Sequence, residues 1–393
     1  MKKEMILTRF LYCKDEVELS LMMALLKNED VQIIYYWAYE LYYSGFAVFD
    51  LLIKIYLDFY YEKQPYLLNY IKKKQQLWTA DGDMKHVAYV LRNLQNLNTT
   101  NTVFMARQYM FNYKGSRLDY GAKAYDKVCD TNYDDFGPTI LYKFKKLCIE
   151  ANGVEAEEAN GVGSNKKKPY KNLILALNYR HMENVWYYLK TLLDKGINIV
   201  ELGKVVGECL GIVLLIDETE GKSEEKDKKE ENIHYIIACI VNALYKVEED
   251  IDMDMMDAGL NKHIFIVPKK EHLDYMITLE TAYIPVVYDT LIHKRLVTID
   301  TDIGNFALAR WQWTEHTDFV REIWFHWEYY AMGSPLWQKR LVKWGGVVNH
   351  ITKTIEFPTE EMQESFYELY AYEFDELPKE VQAMSLLPLN NTF

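Results

Sequence analysis

The sequence predicts a mainly α-helical protein: stacked helical hairpins in a HEAT-like array, closed by a Trp-rich C-terminal α module that carries a few short strands. Three observations predict it. Apolar residues recur at helical spacing through most of the 393 residues. Two stretches, 15–45 and 171–196, share a helix–corner–helix–Gly pattern, with Ala24-Leu25 matching Ala176-Leu177, Tyr35-Tyr36 matching Tyr187-Tyr188, and Gly45 matching Gly196. Such units bury their apolar faces by stacking on one another. The third observation is that six tryptophans fall between Trp311 and Trp344.

In chain order, residues 15–27 read as a helix, with Val17, Leu21, Met22, Leu25 and Leu26 set against Glu16, Glu18, Ser20 and Lys27. Asn28-Glu29-Asp30 makes a polar corner, and Asp30 is placed to cap the next helix. That helix, 31–44, is apolar on nearly all sides, which predicts burial between neighbours. Glu40 is its one acid, and Gly45 its stop. Further helices are expected at 46–61, 66–78, after Asp81-Gly82-Asp83, at 102–112, 139–150, 171–195, 197–216 and 233–248. Short strands are expected at 264–268 and 295–299, where β-branched residues are bounded by Pro or Asp. Near the end, a helix over 322–330 breaks at Gly333-Ser334-Pro335. A basic-aromatic helix over 337–344 stops at Gly345-Gly346, a hairpin follows at 347–357, and then an acidic helix at 360–373.

Composition shifts divide the chain. Residues 1–150 form an N-terminal helical-hairpin domain and 151–169 a flexible linker of Gly, Asn and Ala with an acid run and a lysine run. Residues 170–216 continue the array, and 217–232 (DETEGKSEEKDKKEEN) form a charged low-complexity loop. Residues 233–310 are mixed α with short strands, and 311–393 are the Trp-rich module.

Several function classes are disfavoured. Nearly half the residues are apolar, 49%, so the chain folds. Its net charge of −13 argues against a duplex-DNA partner, which calls for a basic face. No membrane span is expected: the most apolar helix, 46–61, carries Asp50, Lys54 and Asp58 at four-residue spacing. The N-terminal run MKKEMILTRFLYCKDE is interrupted by Glu4 and Arg9 and makes a poor signal peptide. The five cysteines, Cys13, Cys129, Cys148, Cys209 and Cys239, lack CxxC spacing and fit reduced, buried thiols.

Candidate chemistry is sparse, and neither a cofactor nor a metal is expected. Gly161 and Gly163 lack phosphate-loop spacing. The acids from Asp250 start like a calcium loop, but Met255 stands where glycine is needed and Asn261 where glutamate is needed. Glu322 and His326, one turn apart, with Glu315 and His316, form the best acid–base constellation, without HExxH spacing. The candidate interaction surface is Trp311, Trp313, Trp324, His326, Trp327, Trp337, Lys339, Arg340 and Trp344. Aromatic rings among lysine and arginine can stack bases or anchor a protein interface. Packing of these rings into a core is the competing reading.

Two runs carry a resemblance. DEVELSLMMALL…YYWAYELYYSGF followed by FDLLIKIYLDFY, and HWEYYAMGSPLWQKR…KTIEF…FYELYAYEFDELPKEVQ, resemble the two ends of an uncharacterised protein family of nucleocytoplasmic large DNA viruses, the giant viruses. The resemblance implies a virus-encoded protein of the host cytoplasm, or of the virion, and carries over no catalytic residue. With the helical array, it leads to an expected non-enzymatic scaffold or adaptor for viral or host proteins. Its sharpest form is a translation-initiation-like scaffold, an analogy of architecture alone, in which RNA contact is indirect. A virion structural or assembly protein, and an enzyme with its site in 311–344, are the alternatives.

Overall fold

The structure is a computed structural model that describes residues 6–112, 172–174, 176–177, 182–212, 214, 216, 225–245, 265–280 and 326–370. Over these residues the chain is mainly α, with two short strands near the C-terminal end. Helices α1 (Lys14–Leu26), α2 (Val31–Tyr43), α3 (Val48–Phe59), α4 (Leu67–Asp81), α5 (Lys85–Leu94) and α6 (Thr102–Asn112) come first. Then follow α7 (Met182–Asp194), α8 (Ile199–Leu210), α9 (Glu225–Tyr245), α10 (Lys270–Glu280) and α11 (Pro335–Lys343). Strands β1 (Val347–Asn349) and β2 (Thr354–Glu356) and helix α12 (Glu360–Tyr370) complete the order.

The chain divides into two compact units that interleave in sequence. One comprises 1–52, 69–97 and 264–393; the other comprises 53–68 and 98–263. Two of the divisions fall inside α3 and α4.

In the first unit, α1 and α2 pack together, and α2 also packs on α5 and α10. Asp30 caps α2 as expected, its carboxylate accepting from Gln32 N at 2.8 Å. The burial predicted for α2 holds for Ile34, Tyr35, Ala38, Tyr39, Glu40 and Leu41. Gly45 ends the turn after α2 at φ +88°, and a Cβ there would sit 2.8 Å from the Pro335 side chain. Both facts demand glycine.

The N-terminal segment 7–13 is a wholly buried loop ahead of α1, closed by a single antiparallel bridge between Leu7 and Cys13. A buried loop is tolerable only if its backbone is satisfied, and here each N–H from Leu7 to Tyr12 has a partner. Leu7 donates to Tyr330 O, Thr8 to Tyr12 O, and Leu11 to Thr8 O. Arg9 N donates to Ser44 Oγ, Phe10 N to Glu40 Oε1, and Tyr12 N to Thr8 Oγ1. The loop thus joins α2 to the C-terminal module.

Residues 265–269 lie outside any regular element and pair with no strand among the described residues. Ile266 is bonded instead by one side chain: Asn93 Oδ1 accepts from Ile266 N at 2.9 Å, and Asn93 Nδ2 donates to Ile266 O at 3.0 Å. The strand expected at 264–268 is therefore absent over 265–268, because its edge partner is an amide side chain and not a second strand. The expected strand at 295–299 lies outside the described residues.

In the second unit, α6 packs on α7 and α9, and α8 on α9. Phe59 and Phe104 stack at 5.1 Å between centroids. Two expectations are corrected here. The helix expected over 197–216 stops at Leu210, because Gly211 turns left-handed at φ +70°. Chain beyond it folds back, so that Ile216 fills the space where a Gly203 Cβ would be. The charged break expected at 217–232 is helical from Glu225 onward. Glu and Lys are strong helix formers, and a Lys54–Glu230 contact at 3.4 Å holds this start against α3. Asp58 of α3 is 5% exposed and makes a two-pronged ion pair with Arg107. The calcium-like acids, the linker 151–169 and the helix expected at 139–150 lie outside the described residues.

Candidate functional site

The predicted surface lies at the C-terminal end of the first unit. Of its nine residues, His326, Trp327, Trp337, Lys339, Arg340 and Trp344 are described; Trp311, Trp313 and Trp324 lie outside the described residues, as do Glu315, His316 and Glu322. The acid–base constellation is therefore represented by His326 alone.

Local sequence builds the site. Pro335 opens α11 at a position where its missing N–H costs nothing. Ser334 precedes it, fully buried, and turns its hydroxyl to Ser44 O at 3.1 Å rather than capping its own helix. Leu336 N donates to the same carbonyl at 3.2 Å. These bonds fix the start of α11 to the end of α2.

The inward face of α11 is a core. Trp337 is 0% exposed and Trp327 5%. Their rings meet edge-on at 5.3 Å, and Trp327 lies parallel to Phe366 at 6.0 Å. Trp337 Nε1 donates to Thr8 O at 3.1 Å. These two tryptophans bury their area inside the module and offer no ring to a base or a partner. Trp344 is half-buried against the same cluster. The packed-core reading thus holds for both buried rings.

Arg340 lies over two rings. Its guanidinium carbon lies 4.6 Å from the Trp337 ring centroid and 5.2 Å from that of Tyr370. Arg340 Nη1 and Trp344 Nε1 are both buried without a hydrogen-bond partner. Lys339 and Lys343 are exposed, and Val342 between them is 69% exposed. The spacing i, i+3, i+4 sets these three on one outward strip.

His326 Nδ1 lies 3.0 Å from Lys353 O. A carbonyl only accepts, so Nδ1 carries the proton and the imidazole is tied to the hairpin turn. That turn is made by Asn349 Oδ1, which accepts from Ile351 N and Thr352 N, and by Lys353 at φ +58°. The hairpin is antiparallel, with Val348 opposite Ile355, as the sequence predicts. Ile351 stands 94% exposed at its tip. His326 is thereby a residue that anchors the turn.

Two buried polar groupings escaped the sequence reading. In the first unit, Arg9 and Glu40 are 4% and 0% exposed in their side chains and pair at 3.3 Å. Arg9 Nη1 also donates to Leu279 O at 2.7 Å. Burial pushes the Glu40 carboxyl up, and Arg9 with the Thr8 and Phe10 hydrogen bonds holds it down. The signal was there: a lone acid in an apolar helix and a lone arginine in an apolar run each need a partner. In the second unit, His234 is 3% exposed with Nδ1 unpartnered. Burial, and then Arg107 and Lys54, lower it from 6.5 to about 3.

Among the described residues, no group of three His, Cys, Asp or Glu side chains could hold a metal ion, and no helix is long and apolar enough to cross a membrane. Comparison with protein-family models, with curated proteins and with solved structures gives no match.

Proposed function

We propose that the chain is a helical scaffold that binds protein partners through the outward strip of α11. One observation carries this reading: Lys339, Val342 and Lys343 form an apolar centre with a basic rim, on a helix whose opposite face is locked by Trp337 and Leu341. A surface of that kind, held rigid in advance, loses little conformational freedom on binding. The resemblance of both chain ends to the giant-virus family supports a virus-encoded scaffold working in an infected cell. Trp327 and Trp337 contribute indirectly, by holding the helix.

The test compares an affinity-tagged wild-type chain with a Lys339→Glu/Val342→Asp/Lys343→Glu variant of unchanged thermal midpoint. The expected result is a discrete set of proteins captured by the wild type and lost by the variant. Equal capture by both chains contradicts the reading.

A further inference from the structure

Helix α12 shares the core of α11 and shows the opposite charge outward. Its inward residues are Phe366, fully buried, with Tyr367 and Tyr370 packed beside it. Outward it exposes Glu360, Glu361, Glu364 and Glu368, together with Met362 at 40% and Leu369 at 57%. Among the described residues, no ion pair joins these acids to Lys339 or Lys343. The module therefore carries a basic strip on α11 and an acidic strip on α12, and among the described residues neither has a charged partner.

We infer that these faces pair between two copies of this chain, α11 of each copy lying on α12 of the other about a two-fold axis. The spacing matches: Lys339 and Lys343 are one turn apart, as are Glu360 and Glu364, and Glu364 and Glu368. Two helices in contact can thus align two opposite-charge pairs at once. Val342, on the same strip as the two lysines, is covered in the contact. A two-fold arrangement makes the contact twice, since what α11 does to the partner's α12 is done in return. The net charge of −13 disfavours arbitrary contact between copies. Only a basic patch meeting an acidic one offsets that repulsion, so the same charge that keeps copies apart elsewhere selects this register.

This inference rests on reading the α11 strip as a protein-binding face, and the test separates the two. The full-length chain is examined by sedimentation velocity as wild type, as Lys339→Glu/Lys343→Glu and as Glu364→Lys/Glu368→Lys, each with its helical circular dichroism checked. The wild type is expected to be a dimer. Each variant should dissociate with a constant raised about tenfold or more, because like charges then face one another. Mixed in equal amounts, the two variants should recover a dimer with one copy of each. A wild type that is monomeric across the accessible range overturns the inference, as do variants that dimerise unchanged or a mixture that stays monomeric. A monomer that binds single-stranded poly(U) through Lys339 and Lys343 overturns it too. A monomer whose captured protein partners are lost on changing those lysines overturns the self-pairing and leaves the protein-binding reading standing.

Discussion

Trp337 and Thr8 lie 329 positions apart and are joined by one hydrogen bond, indole N–H to backbone carbonyl, at 3.1 Å. The bond explains why a tryptophan belongs there. The Thr8 carbonyl also accepts from Leu11 N, so it closes the buried loop and receives the C-terminal helix at the same atom. Trp337→Ala should cost about 3–5 kcal/mol of unfolding free energy. Trp337→Phe should cost clearly less, since the ring is kept and Thr8 O retains its bond from Leu11 N. Urea unfolding of the two variants measures the difference, and equal costs would show that burial of the ring contributes nothing beyond what both variants lose, the indole N–H bond to Thr8 O.

Arg9 and Glu40 form the second tie. Removing one partner strands a buried charge, so Glu40→Leu and Arg9→Met should each cost about 3–5 kcal/mol. An Arg9→Met/Glu40→Leu pair should cost less than the sum of the single changes, because no charge is left behind. It will not be free: Phe10 N still loses its acceptor. A double-mutant cycle on unfolding free energies reads the coupling.

His234 sets a pH dependence in the second unit. Its pKa is lowered in the fold to about 3, while the unfolded chain protonates it near 6.5. The unfolded state therefore binds more protons between these values, and stability falls as pH drops through that window, by up to about 1.4 kcal/mol per pH unit. Burial raises the Asp58 and Glu40 carboxyls, which gives a contribution of opposite sign in the carboxylate range. The informative quantity is thus the difference between wild type and His234→Leu. Urea midpoints at pH 7, 5.5 and 4.5 should converge or cross as pH falls, with the variant losing less.

Asn93 stands in for a strand. Asn93→Ala removes both bonds to Ile266, whose side chain is 45% exposed, so water can reach the freed groups. The expected cost is about 1 kcal/mol. Hydrogen exchange should show the Ile266 amide losing protection while amides of α5 keep theirs.

Much of the local structure is legible in the sequence, since helix starts and stops are local chemistry. Asp30, Gly45, Pro335 and Gly345 each act as their type implies, and the Val347–Glu356 hairpin follows from its flanking turns. The charge run before Ile233 misleads because low complexity and helix share the same residues, Glu and Lys. What links the segments is not legible. Nothing near Thr8 announces Trp337, and nothing near Ile266 announces Asn93, since such bonds depend on which surfaces meet. At the site, residue types pointed to α11 but not to its orientation. Trp327 and Trp337, two of the rings that suggested recognition, face the core, and the strip beside them carries the exposure.

The central claim is that on α11 the tryptophan is architecture and the Lys339–Val342–Lys343 strip is the working face. Hydroxyl-radical footprinting of the intact chain, read residue by residue, tests it most directly. The account predicts that Trp327 and Trp337 stay protected at every concentration. Val342 should react freely in dilute solution and become protected as the concentration rises. Rapid oxidation of Trp337 in the folded chain, or a Val342 reactivity that never changes, would contradict it.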